Sequence, residues 1–197
     1  MTRLKQQMDF IVEIDQLKEI IRQTYISSGE RKETDAEHAW HFAIMAVLLA
    51  EYANEPVDVL KVIKMALIHD LVEIDAGDTY LYDEEGAKTK AERENRAAER
   101  LFHLLPEDQG KEFDSIWREF EERKTPEARF AASLDRLQPI LLNDATDGKA
   151  WDEHKITEEQ VRKQNQHVKE GSVRIWEYIQ EIFEKNIEKG KIQRSSS

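Results

Sequence analysis

The chemistry-bearing residues concentrate in Met65-Ala66-Leu67-Ile68-His69-Asp70-Leu71-Val72-Glu73, where an apolar run delivers a histidine beside an aspartate and then a glutamate. On a helix with about 3.6 residues per turn, His69 and Asp70 point roughly 100° apart. Both reach one ion only when it sits over the wedge between them and draws further ligands from elsewhere. Glu73, three and four positions on, lies on the same face and adds a third group able to bind a metal or carry a proton. An ionised aspartate in apolar surroundings costs several kcal/mol unless it is paired or coordinates a metal, so Asp70 calls for a partner. On the dipeptide alone, a solvated helix end is an equal reading.

Two further residues complete a possible site: His38, early in a capped helix, and Asp135 within Ala131-Ala132-Ser133-Leu134-Asp135-Arg136-Leu137. Two imidazoles and two carboxylates suit one borderline divalent ion such as manganese, iron, cobalt, nickel or zinc. A calcium site would be all oxygen. The chain has no cysteine, so any metal must rest on histidine and carboxylate.

The elements that must position these groups read as helices, without a convincing period-two run. Phe10, Ile11, Ile14, Leu17, Ile20, Ile21 and Tyr25 recur at three-four spacing and predict a first amphipathic helix ending near Ser27-Ser28-Gly29. Thr34-Asp35-Ala36-Glu37 is a capping box opening the helix that carries His38, His41, Phe42 and Met45. A central apolar helix from Val59 ends in His69-Asp70, Gly77 stops the turn after it, and Asp78 opens a polar loop placed to act as a lid. Helices follow over Lys88–Leu105 and Asp108–Glu122, with Trp117 inward. Thr125-Pro126 starts the helix bearing Asp135, and Thr157-Glu158-Glu159-Gln160 is a second capping box. The last helix carries Trp176, and the tail from Gly190 is expected to fray. The expectation is an all-α, single-domain bundle of about eight helices spanning 1–197, with a metal-site core over about 30–145 and C-terminal helices over 157–189.

Charge narrows the partners. With 29 Lys and Arg against 41 Asp and Glu, the 197-residue chain carries −12, which disfavours duplex nucleic acid. The longest uncharged apolar stretch, Phe42 to Ala50, is far below the roughly 20 residues of a membrane span, so a cytoplasmic protein without membrane contact is expected.

The ordered set Glu33-Thr34-Asp35-Ala36-Glu37-His38, Ala66-Leu67-Ile68-His69-Asp70-Leu71-Val72-Glu73, Gly77-Asp78 and Leu134-Asp135-Arg136-Leu137 resembles the HD-domain metal-dependent phosphohydrolases, and within them the small 5′-deoxynucleotidase-like group. The resemblance covers residues 10 to 145. It implies that His38, His69, Asp70 and Asp135 ligate one divalent metal and that Glu73 orients or deprotonates the attacking water. It also implies that Asp78 accepts from a sugar hydroxyl or helps proton transfer, and that Arg31 faces the phosphate. The substrate would be a small phosphorylated molecule, a nucleoside 5′-monophosphate, and the assembly a homodimer, with surplus apolar surface expected around Trp117 and Trp176. Alternatives are an HD-type hydrolase of a di- or triphosphate nucleotide, or a non-catalytic metal- or nucleotide-binding module. One position departs from the group: Arg22-Gln23 stands where these nucleotidases carry an Arg-Trp pair.

Overall fold

The computed structural model describes residues 1–194. Among them are eight helices of at least eight residues: α1 (Arg3–Glu13), α2 (Asp35–Leu49), α3 (Val59–Ile68), α5 (Glu84–Phe102), α6 (Glu107–Glu122), α7 (Pro126–Ala145), α9 (Glu158–Asn165) and α11 (Val173–Glu188). Three short ones join them: α4 (Glu73–Ala76), α8 (Lys149–Glu153) and α10 (Val168–Gly171). The fold is all-α, with one minor sheet.

That sheet corrects the N-terminal expectation. The helix stops at Glu13, a 3₁₀ turn runs from Ile14 to Glu19, and β1 (Ile21–Tyr25) pairs antiparallel with β2 (Lys32–Thr34). Of the residues at helical spacing only Phe10 and Leu17 are buried, while Ile11 and Ile21 face solvent. The apolar period here served two different elements.

Local signals held elsewhere. Thr34 caps α2 reciprocally: its hydroxyl accepts from the Glu37 backbone at 3.3 Å, while the Glu37 carboxylate accepts from the Thr34 backbone at 3.0 Å. Thr125 caps α7 with Pro126 at the first helical position, and Gly77, at φ 73°, closes α4. The tail differs from expectation, because Ile192 is buried and Gln193 bonds back to Ile156 and Glu158; residues 195–197 lie outside the described set.

α2, α3 and α7 pack together around Phe42, Met65, Phe130 and Leu134, all fully buried. Two irregularities sit where function needs them. After Ile68 the chain tightens into a 3₁₀ turn over His69–Val72, whose three-residue period brings Asp70 over Glu73. Pro139 inside α7 has no N–H to give the carbonyl four residues back, which is that of Asp135.

Candidate metal centre

His38 comes from the first turn of α2, His69 and Asp70 from the turn after α3, and Asp135 from the middle of α7. His38 is fully buried and its Nε2 lies 3.1 Å from Asp135 Oδ1. His69 Nε2 lies 3.1 Å from Asp70 Oδ1 and 3.6 Å from Asp135 Oδ1, and Asp70 Oδ2 is 3.9 Å from His38 Nε2. One ligand atom each from His38, His69 and Asp135 falls within a 4.8 Å span.

The surrounding hydrogen bonds fix which nitrogen of each ring is free. Gln138 donates through Nε2 to Glu33 Oε2 at 2.8 Å, so its carbonyl oxygen must be the atom facing His38 Nδ1 at 2.9 Å. An oxygen there requires Nδ1–H on His38 and leaves Nε2 as a lone pair aimed at a carboxylate. His69 Nδ1 faces the Ala66 carbonyl at 3.0 Å and must likewise donate, which turns its Nε2 into the cluster. That Nε2 is buried without a hydrogen-bond partner. Two lone pairs and two carboxylates converging in a closed space require a cation or a proton between them, and the donor set fits a borderline divalent metal.

The charge balance of the bare cluster agrees. Burial and the Arg22 guanidinium hold His38 below its ordinary pKa. Burial also works against the charged form of His69, yet Asp70 and Asp135 outweigh it and push this ring up to about 10. Burial works upward on both aspartates, but His69 and Arg22 beside Asp70, and Arg136 with the two histidines beside Asp135, hold them below the carboxylate range. Without a metal, this balance favours a proton on His69.

A second group of acids adjoins the first: Asp35, Glu73 and Asp78 offer oxygens within 4.8 Å of one another. Glu73 is buried, one of its oxygens has no partner, and burial followed by Asp70 and Asp35 raises it well above the usual range. Burial and then Asp70 push Asp35 up to about 7, and burial raises Asp78 as well. Arg22 binds the two groups together, donating from Nη1 at 3.0 Å to both Asp35 Oδ1 and Asp70 Oδ2.

Sequence reasoning gathered His38, His69, Asp70, Glu73, Asp78 and Asp135, and these meet. Arg31 does not join them. It is exposed and donates to both oxygens of Glu37, at 2.8 and 2.5 Å, on the outer side of the capping box. Arg22 and Asp35 were not singled out as site groups. Arg22 was visible only as the matching half of the pair in which Gln23 departs from the nucleotidase pattern, and Asp35 was hidden inside the capping box. His41 accepts from Gln138 at 3.2 Å, one bond further from the cluster than His38, and His154 lies 4.6 Å from the Tyr80 ring on the loop after Gly77. A small pocket of about 70 Å³ between this loop, Arg22, Asp78, Pro139 and Trp151 opens beside the acids.

Residues 14–176 match the HD domain family. The chain belongs to that family. Among curated HD-domain relatives, the bovine 5′-deoxynucleotidase HDDC2 is 32% identical over 136 residues, covering 68% of this chain and 64% of the bovine protein. The human 5′-deoxynucleotidase HDDC2 is 30% identical, covering 68% and 65%. The matched stretch thus spans less than two thirds of the length of either relative. A crystal structure of a predicted metal-dependent phosphohydrolase from Magnetospirillum magnetotacticum MS-1 shares 49% identity and superposes with a TM-score of 0.92 over 96% of this chain and 95% of the other. A conserved hypothetical protein from Pyrococcus furiosus, 24% identical with a TM-score of 0.58 over 91% and 98%, shares the HD-domain fold.

Proposed function

We propose that the chain is a metal-dependent phosphomonoesterase of the 5′-deoxynucleotidase type, acting on a small nucleotide. The observation that carries this is the pair of imidazole lone pairs, fixed from behind by Gln138 and Ala66, converging on Asp135 and Asp70 beside the buried acid Glu73. The names of the curated relatives and of the crystal structure point the same way.

In this reading His38, His69, Asp70 and Asp135 hold one divalent metal: manganese, cobalt, iron, nickel or zinc. Such an ion, when bound, polarises a phosphoryl oxygen and makes hydroxide accessible near neutral pH. Glu73 takes the proton of the attacking water: burial, Asp70 and Asp35 raise its proton affinity above that of an ordinary carboxylate, the direction a general base needs. Arg22 offsets the acids and holds Asp70 and Asp35 in place, and it takes over the phosphate-facing role first assigned to Arg31. Asp78, lining the pocket beside Arg22, faces the sugar side. Gln23 lines the same pocket, so an amide stands there where the nucleotidase group carries the ring of a tryptophan.

We further propose that the protein acts as a homodimer. Trp117 is buried and Trp176 partly so, and the unspent apolar surface is instead on α2, where Trp40, Ile44, Val47 and Leu48 recur at helical spacing and are all exposed. Among the described residues no helix is long and apolar enough to cross a membrane.

The test is phosphate release by metal-loaded protein from nucleoside mono-, di- and triphosphates. Release from 5′-monophosphates, abolished by a chelator and restored by metal, is expected. Turnover of di- or triphosphates alone would move the chain to another HD hydrolase class, and tight nucleotide binding without release would make it a regulatory module.

A further inference from the structure

One group of side chains lies outside the metal centre and its adjoining acids. Arg123, at the end of α6, Arg136, the neighbour of Asp135 on α7, and Lys163, His167 and Lys169, on and between α9 and α10, line one pocket of about 430 Å³. A single carboxylate, Glu170, lines it with them. In a chain carrying −12, four permanent positive charges around one concavity run against the overall balance.

These charges are not there to pair with acids. Among the described residues none of Arg123, Lys163 and Lys169 forms a salt bridge, and Arg136 has only Asp135 Oδ2 at 3.8 Å. Arg136 Nε and His167 Nε2 are both buried without a hydrogen-bond partner. The arrangement disfavours further protons: burial and then Arg136 lower Arg123, while burial, Arg123 and Arg136 push His167 down to about 4. Arg123 also adopts a left-handed backbone, φ 51°, at a helix end where glycine would fit without strain.

We propose that this pocket is a second anion site, built to hold a phosphate group next to the metal centre. Guanidinium donors match phosphate oxygens, and a neutral His167 can accept from the hydroxyl of a phosphate monoanion. The pocket shares Arg136 and Leu81 as a common wall with the smaller pocket beside Arg22 and Asp78, so one ligand can address both. Two sources fit this chemistry: a second phosphate on the nucleotide being cleaved, or free inorganic phosphate. The substrate arm rests on the phosphomonoesterase reading, whereas the binding arm does not.

The binding arm is calorimetric titration of inorganic phosphate into the full chain, metal-loaded and again after chelation, since the pocket uses none of the four metal-cluster residues. Wild type should bind in both states. Arg123→Asn, which tolerates the left-handed backbone, should weaken binding about tenfold or more, as expected for losing a charge-assisted bidentate contact. Lys163→Gln, an exposed change, should weaken it a few-fold, which guards against a folding defect in the first variant. The substrate arm compares KM for nucleoside 5′-monophosphates with KM for 5′-diphosphates and 3′,5′-bisphosphates. A rise in Arg123→Asn confined to doubly phosphorylated substrates identifies the nucleotide's own second phosphate; unchanged KM values with lost phosphate binding identify free phosphate. No binding to chelated wild type, or binding indifferent to both variants, overturns the proposal. A protein that binds phosphate here but hydrolyses nothing overturns the phosphomonoesterase reading alone.

Discussion

Replacing Gln138 by leucine isolates the hydrogen-bond chain that orients the metal-facing histidine. Gln138 is fully buried, accepts from His38 Nδ1 at 2.9 Å and donates to Glu33 Oε2 at 2.8 Å, so leucine fills similar volume but leaves two buried polar groups without partners. At about 1–3 kcal/mol for each orphaned group the loss is roughly 2–6 kcal/mol. The lower half of that range is expected, because Glu33, already pushed up to about 7 by burial, escapes part of its cost by taking a proton. His38 has no such escape: its ring is free to rotate or to move its proton to Nε2, the atom the metal needs. Metal affinity should therefore fall about 10–100-fold, the usual cost of removing the partner behind a ligating histidine, or about 1.4–2.7 kcal/mol. The assay is metal titration by competition with a chromogenic chelator, beside thermal melts of metal-free protein. A charge swap supplies the control: Glu33→Gln with Gln138→Glu restores both a donor and an acceptor along the chain and should recover most of the affinity. Unchanged metal affinity in Gln138→Leu, with stability lowered, would refute the claim that this bond selects the ring's tautomer.

Further outcomes follow from the same geometry. Glu73→Ala should retain metal by elemental analysis while turnover falls about 10²–10⁴-fold, whereas Asp70→Ala should lose both metal and activity; a fully active Glu73→Ala protein removes the proposed base. Metal-free protein should lose stability as pH rises from about 6.5 to 9, above the range in which His38 and His167, both held below their ordinary pKa, still gain by shedding protons. Glu33 and Asp35, raised from 4.5 and 3.8 to about 7, bind protons in the folded state that the unfolded chain has released, so their contribution declines up to about pH 7. His69, raised from 6.5 to about 10, stabilises fully below about 6.5 and loses that contribution as pH climbs toward 10. Melting temperatures that rise over this interval would contradict these shifts. Ile44→Glu, on the exposed α2 stripe, should convert a dimer to monomer in sedimentation velocity without altering the metal content.

Much of this arrangement was legible locally. The caps at Thr34, Thr125 and Thr157 announced their helices because each hydroxyl meets a backbone N–H within one turn, and Gly77 announced a stop because only glycine enters positive φ freely. Periodicity could not join His38 to Asp135, 97 positions apart; that link rested on their residue types, two imidazoles and two carboxylates suited to one ion, and then on the family resemblance. The N-terminal error has a physical cause, since Phe10, Leu17 and Tyr25 suit a helix by spacing while the chain between them tightens to 3₁₀ and then extends. Arg31 misled through closeness in sequence to His38, its guanidinium being taken by Glu37. Arg22 reaches the acids only because the hairpin folds it back, a long-range event that leaves no mark in a window of a few residues.

The hairpin that carries Arg22 makes its charge a matter of register. Neighbouring side chains on a strand alternate between faces, so Arg22 and Thr24 turn toward the interior while Ile21 faces solvent. A slip of one residue in the pairing of β1 with β2 exchanges those faces: the buried guanidinium leaves, an amide or an isoleucine takes its place, and Asp35 and Asp70 face each other uncompensated. A two-stranded ribbon is marginal by itself, so packing of β1 against α7 and α8 must hold that alignment. A one-residue insertion that shifts the pairing would thus act electrostatically, as a charge deletion more than ten residues from the nearest histidine, although no ionisable residue in the chain had been changed.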